Sequence, residues 1–276
     1  MNLFWAVLIV VGVAAVAVAS MLLVRRGAPE GSYFEDGDRA SGIFGVLATG
    51  FAVLIGFVVF LAFESFDTSR SGAEAEARIV VQQFETAQFL PVAVRAQLSG
   101  DLVCYARTVV HQEWPRMETG TAGNSRNPWS LTMLRTLQTA GPRSASEQTA
   151  YAKWFDQRSD REDGRADRIH GGEGVIPLPV WIVLLIASAV IFVYMLFFAD
   201  SAERAIVQAT MMGGVAVVIT SMLLLLVFLD HPYGSGVGGL RPLAMERALT
   251  QLRQETSVYG RRIIIPCDAR GVARRA

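Results

Sequence analysis

Charge is scarce in this chain. Charged residues are 18% of the 276 and hydrophobic types 52%, whereas an ordinary soluble domain is roughly a quarter charged. The 25 basic residues balance the 25 acidic ones, so there is no whole-molecule attraction to nucleic acid. Lysine is nearly absent, Lys153 alone standing among arginines. Cysteine occurs only at Cys104 and Cys267, far apart, which makes neither a disulfide framework nor a metal-ligand pattern and excludes a small secreted scaffold or a zinc finger. Cys104 reads as a buried structural thiol.

Catalytic motifs are lacking too. No Gly-x-Ser-x-Gly and no phosphate-cradling glycine loop occurs. His111-Gln112-Glu113 has the His-x-Glu of zinc deaminases without their Pro-Cys-x-x-Cys partner, since Pro266-Cys267 has no second cysteine. Cys104 and His111, seven residues apart, have no accompanying substrate-binding features. These absences argue against an enzyme, and neither a cofactor nor a metal is expected.

Long apolar runs are what the chain has instead. Residues 4–24 carry Ser20 as their only hydroxyl, and at about 1.5 Å per residue they reach about 30 Å, the thickness of the hydrocarbon core. Ala17-Val18-Ala19-Ser20 imitates a signal-peptidase site, but Met1-Asn2-Leu3 has no basic residue and the run is too long, so a retained span is expected. Further spans are expected at 42–63, at 177–199, where Pro177 and Pro179 suit a helix start, and at 205–229. The chain thus divides into 1–63 with two spans, a soluble insertion at 64–174, 175–229 with two more spans, and a tail at 230–276.

Arginine placement orients the spans. Arg25, Arg26, Arg39 and Arg204 fall on one side. The other side has Arg70, Arg78, Arg158, Arg161, Arg165, Arg168, Arg241 and Arg247. That excess puts both termini and residues 64–174 in the cytoplasm of a multi-pass cell-membrane protein.

The insertion reads as helical. Ile79, Val80, Phe84 and Ala87 recur at helical spacing and carry the second span onward to about Leu90. Pro91 should interrupt that helix, and Val94, Leu98, Leu102, Tyr105 and Val109 form the next stripe, ending near Trp114-Pro115. A loop through Gly120, Gly123, Asn124 and Pro128 follows. Helices are expected at 128–140 and 146–168, the latter increasingly charged and read as exposed. Pro232 with the glycines after it makes a turn. Leu243, Ala244, Ala248, Leu249 and Leu252 mark an amphipathic helix, and 257–276 reads as extended or disordered. The tail's surplus of arginine, including Arg261, Arg262 and Arg275, suits either attraction to anionic headgroups of the lipid bilayer or a solvated basic end with no specific ligand.

The second span carries the candidate site. Gly50 and Gly56 permit close helix approach. Phe51, Ile55 and Val59 repeat at i, i+4 and i+8, so copies around an axis would stack apolar rings able to gate water by dewetting; the same spacing also suits a lipid-facing or bundle-core stripe. Glu64 and Asp67 close that span, and Asp230 with His231 closes the fourth. These groups either form an ion entrance or pair with arginines such as Arg70 and Arg241.

The run FAVLIGFVVFLAFESFDTSRSGAEAEA at 51–77, with HQEWP at 111–115, FLDHPYGSG at 228–236 and RPLAMERAL at 241–249, resembles the bestrophin-like family, once known only as a domain of unknown function and distantly similar to bestrophin ion channels. The resemblance covers about Ile43 to Leu252. It implies an all-α, four-span integral membrane protein with a helical cytoplasmic insertion between spans two and three. It also implies a homo-oligomer, pentameric by likeness to the bestrophins, that passes small inorganic ions through an apolar neck on span two. Phe51 or Ile55, or their neighbours Phe57 and Phe60, would then line the path. The Arg-Trp-Trp-type signature and the acidic run of the calcium clasp are missing, so calcium gating is not expected. The rival expectation is a non-conducting scaffold or sensor that binds a partner or anionic lipid.

Overall fold

The structure, a computed structural model, describes residues 3–121, 126–234, 236–259 and 263–274. Gly123, Asn124, Ser235, Arg261, Arg262 and Arg275 lie outside the described residues. The chain divides into a unit of residues 1–64, 174–231 and 235–238 and a second of residues 65–173, 232–234 and 239–276.

The first unit holds four helices long and apolar enough to cross a membrane: α1 (Leu3–Arg25), α2 (Gly37–Ala87, of which Gly37 to Glu64 belong here), α7 (Leu178–Leu196) and α8 (Ala205–Asp230). Small residues let α1 lie along α8. Ala17 and Met21 pack against Met212 and Ala216, and a methyl group on Gly213 would come within 3.2 Å of Val18. Arg25 donates to the carbonyl oxygens of Ser201 and Glu203, satisfying the turn before α8. The start of α2 meets the end of α7 in an aromatic cluster, in which Phe44 stacks on Tyr194 at 5.7 Å and the Tyr194 hydroxyl donates to the Ala40 carbonyl oxygen at 3.3 Å. The chain covers only 11% to 33% of each apolar window, so the remaining surface needs lipid or another copy.

The second unit takes the rest of α2 and adds α3 (Val92–Thr108), α4 (Trp114–Glu118), α5 (Pro128–Gln138), α6 (Ala145–His170) and α9 (Leu243–Tyr259). Pro91 stands extended as the N-cap of α3. Pro115 has no amide hydrogen and its ring crowds the carbonyl four residues back. The helix meets that demand with a π turn over Val109–Glu113 and then continues to Glu118, beyond the expected end near Trp114-Pro115. The Asn127 side chain accepts from the Trp129 amide at 3.1 Å and starts α5; Ser144 and Glu147 form a reciprocal capping box on α6.

Three expectations need correction. The charged helix α6 is not an exposed one. It buries Trp154, Gln157, Arg161, Gly164 and Arg168 along one face, because Gly72 and Gly164 bring α2 and α6 into backbone contact. A methyl group on Gly164 would sit 2.9 Å from the Glu76 amide nitrogen, and one on Gly72 2.7 Å from that of Arg168. Cys104 is not a free thiol but is joined to Cys267 by a disulfide. The tail is extended over 263–274 as expected, yet it is ordered, turning at Gly271 and packing on α3.

Candidate functional site

Two seams run along α2. The covered seam is Phe51, Ile55, Val58 and Ala62, all buried, and it continues through Ser65, Ser69, Gly72 and Glu76 at alternating intervals of four and three. About 160° round the helix, at roughly 100° per residue, Val46, Gly50, Val53, Phe57, Phe60, Glu64 and Asp67 keep the same interval and are all exposed. Val53 is 68%, Phe57 60% and Phe60 62% exposed. An interval averaging 3.5 residues keeps one helix face toward a shared axis over many turns.

The candidate residues therefore separate. Phe51 and Ile55 are covered by their own chain, at 8% and 1% exposure, and present little outward surface; Val59 is half-buried. Phe57 and Phe60 have that surface. The spacing Phe51, Ile55, Val59 thus starts on the covered seam and leaves it by Val59, because a strict interval of four drifts round the helix.

The four groups expected at the mouth separate too. Glu64 and Asp67 are exposed on the uncovered seam. Arg70 pairs with Glu74 at 3.4 Å, rather than with either of them. Asp230 is buried, and its Oδ1 accepts from the amides of Val175 and Ile176 at 2.7 and 2.8 Å. It thereby holds the turn before α7, where Pro177 and Pro179 have no amide hydrogens to give. His231 is exposed, its Nδ1 3.7 Å from Asp230 Oδ2.

Sequence reasoning missed the buried charge of the second unit. Arg168 is fully enclosed, its Nη2 donating to Glu76 Oε1 at 3.1 Å and to Glu113 Oε2 at 2.6 Å, its Nε to Glu76 Oε2. The π turn carries Glu113 inward to meet it, and Arg165 reaches Glu113 from the other side at 3.3 Å. The Tyr105 hydroxyl donates to Glu76 Oε1, and the Tyr233 hydroxyl to the Arg168 carbonyl oxygen. Burial opposes the charge on Arg168, but Glu76 and Glu113 outweigh it and hold the guanidinium above its ordinary value. Burial likewise opposes the charge on Glu113, and Arg168 and Arg165 outweigh it, so this carboxyl lies below the usual range. Burial, reinforced by Glu76, pushes the Tyr105 phenol up. Arg161 is equally enclosed, donating to Gln83 Oε1 at 2.6 Å with its guanidinium 4.7 Å from the Tyr105 ring centre. The available signal was the 158, 161, 165, 168 arginine spacing, which keeps to one helix face but served only to orient the spans.

Asp101 behaves differently. It is fully buried on α3, and neither carboxylate oxygen has a hydrogen-bond partner among the described residues. Burial raises its pKa to about 7. An acid raised on folding favours the folded state while both states are protonated, and that contribution is lost as pH climbs from about 4 through about 7. Asp101→Asn should therefore match the parent at about pH 3, where both states keep the proton, and melt several degrees higher at about pH 8, by up to a few kcal/mol; melting curves at the two pH values check this. An equal difference at both would remove Asp101 as the titrating group.

Among the described residues four apolar helices, one of them prolonged into the second helical unit, define a multi-span α-helical membrane protein. Comparison with known proteins narrows the class. The bestrophin-like domain matches residues 3–242, and the chain belongs to that family. Crystal structures of a bacterial bestrophin homologue from Klebsiella pneumoniae share the fold. One carrying a tryptophan-to-alanine substitution superposes with a TM-score of 0.70 at 14% identity, covering 93% of this chain and 98% of that one. Another, with a leucine-to-threonine substitution, gives 0.66 at 15% identity over 94% and 99%. No curated protein matches.

Proposed function

We propose that this bestrophin-like protein assembles as a homo-oligomer about α2, a pentamer by likeness to the bestrophins, and passes small inorganic ions passively across the cell membrane. The observation that carries this reading is the uncovered seam. Val53, Phe57 and Phe60 keep a 3.5-residue interval and are followed, without a break in period, by Glu64 and Asp67. A face bound only for lipid gains nothing from two carboxylates in register with its apolar residues. Around an axis, the phenylalanines of each copy would stack as a neck that water leaves when it narrows, and the carboxylates beyond it would concentrate cations. Phe51 and Ile55 would hold the helix from behind.

Both termini and the second unit face the cytoplasm in this reading, as the arginine distribution favours. Anionic headgroups would meet the basic tail there. Native mass measurement of the protein in lipid, with planar-bilayer recording of the same preparation, tests it. An oligomer that carries current above control is the expected result. A monomer without current, its second unit cross-linked to another protein, would establish the scaffold reading instead.

A further inference from the structure

We propose that Cys104 and Cys267 are a reversible thiol–disulfide latch that fastens residues 263–274 over α3 and is opened by a soluble thiol of the glutathione type. It rests on the cytoplasmic placement just proposed.

The segment is a strap. Both cysteines are fully buried, Cys104 on α3 and Cys267 within the strap itself. At Gly100 the strap's backbone lies directly on α3, since a methyl group there would fall 1.8 Å from the Ile264 carbonyl oxygen. The remaining hydrogen bonds from the body go to strap carbonyl oxygens. Arg107 Nη1 donates to Asp268 at 3.0 Å, Gln112 to Arg270 at 2.8 Å, and the Trp129 indole and the Thr108 hydroxyl to Gly271 at 2.9 and 3.1 Å. Ile263 and Ile265 add apolar packing on the core, and the disulfide is the one covalent tie among the described residues.

The surroundings of Cys267 are those of an exchanging sulfur. Arg107 Nη1 also reaches Cys267 Sγ at 3.8 Å. Arg107 is itself depressed, first by burial and then by the positive charges of Arg253 and Arg274 nearby, with Asp268 opposing. A cationic cluster of this kind stabilises a thiolate, and a stabilised thiolate is the better leaving group. A structural staple has no use for it. In a reducing cytoplasm, moreover, disulfides that do form are characteristically transient or sensing ones.

The chemistry balances. One external thiolate attacks Cys104 Sγ, breaking the internal bond and expelling Cys267 as a thiolate beside Arg107. A second external thiol attacks the external sulfur of the mixed disulfide, releasing Cys104 and leaving the reductant as its disulfide. Two electrons and two protons pass from the two thiols to the cysteine pair. Since both sulfurs are covered, a local lifting of the strap precedes attack.

The test uses the full chain reconstituted in lipid vesicles and held in glutathione buffers of varied ratio without denaturant. Maleimide mass tags read the thiols, and trypsin cleavage at Arg270 and Arg274 reads strap release. The pair should reach the same reduced fraction from either direction, with tryptic cleavage at least tenfold faster when reduced. Gly100→Ala, which wedges the strap upward, should speed reduction about tenfold. Arg107→Gln should move the pH midpoint for alkylation of reduced Cys267 upward, which a merely structural arginine would not do. A bond that glutathione never opens, or a strap equally protected after reduction, overturns the latch. So does labelling of the reduced pair in whole cells by a membrane-impermeant maleimide, which would make the bond a staple in an oxidising compartment. No current is measured, so the channel reading stands or falls separately.

Discussion

Arg168→Met should cost the second unit about 3–5 kcal/mol, the usual penalty for breaking a buried ion pair by removing one partner. Glu76 and Glu113 both face Arg168 from buried positions, Glu76 fully so. Without the guanidinium Glu113 keeps Arg165 at 3.3 Å, whereas fully buried Glu76 loses the cation that held its charge in a water-poor interior. Arg168→Lys should recover little, since one ammonium cannot reproduce a fork that engages both acids together. Adding Glu76→Gln to Arg168→Met removes one stranded charge, so the double variant should lose less than the sum of the singles. Thermal unfolding followed by helical circular dichroism, with the rate of proteolysis in the second unit, measures all of these. If Arg168→Met melted with the parent, the buried cluster would be an incidental contact and not the centre of the unit.

The proposed neck should respond as strongly, in current rather than stability. Phe57→Ala combined with Phe60→Ala opens both apolar rings, and single-channel or vesicle ion flux should rise by about an order of magnitude as the constriction wets. Phe51→Ala is the discriminating control. Phe51 is 8% exposed within its own chain, so its truncation should destabilise by about 3–5 kcal/mol without opening the path. Flux that rises for Phe51→Ala and not for the pair would turn α2 round and put the covered seam on the axis. Glu64→Gln with Asp67→Asn should lower cation flux more at low salt than at high salt, because exposed charges act through a field that salt screens within about 10 Å at 0.1 M.

Gly72 and Gly164 seat α6 on α2 within the second unit, and the arginines of α6 fix that contact by charge where a soluble core would use aliphatic packing. This accounts for a helix whose sequence reads as solvent-exposed but whose inner face is buried. Along α6 the buried Arg161 and Arg168 share a face with Trp154 and Gly164. Periodicity would have given the face, but not that it turns inward, because a charge becomes tolerable in a core only when its counter-charges arrive from elsewhere in the chain. Glu76 and Glu113 come from α2 and from the π turn, at sequence separations of 92 and 55.

Local physics made much of the architecture legible. Four runs long and apolar enough to cross a bilayer, a proline at 91 that ends one helix, and an amphipathic stripe from Leu243 to Leu252 each depend on neighbouring residues alone, and the family resemblance rested on the same local strings. Cys104 and Cys267 show where that reach ends, since a separation of 163 residues carries no spacing rule from which their pairing could be read. The two seams of α2 show it again. The sequence by itself determined that the second span runs on as a helix past its apolar part and that carboxylates close that part. Only the tertiary structure decided which seam is covered and which is left bare, because that depends on the side from which the other helices approach, and a helix's own sequence does not record the direction of its neighbours.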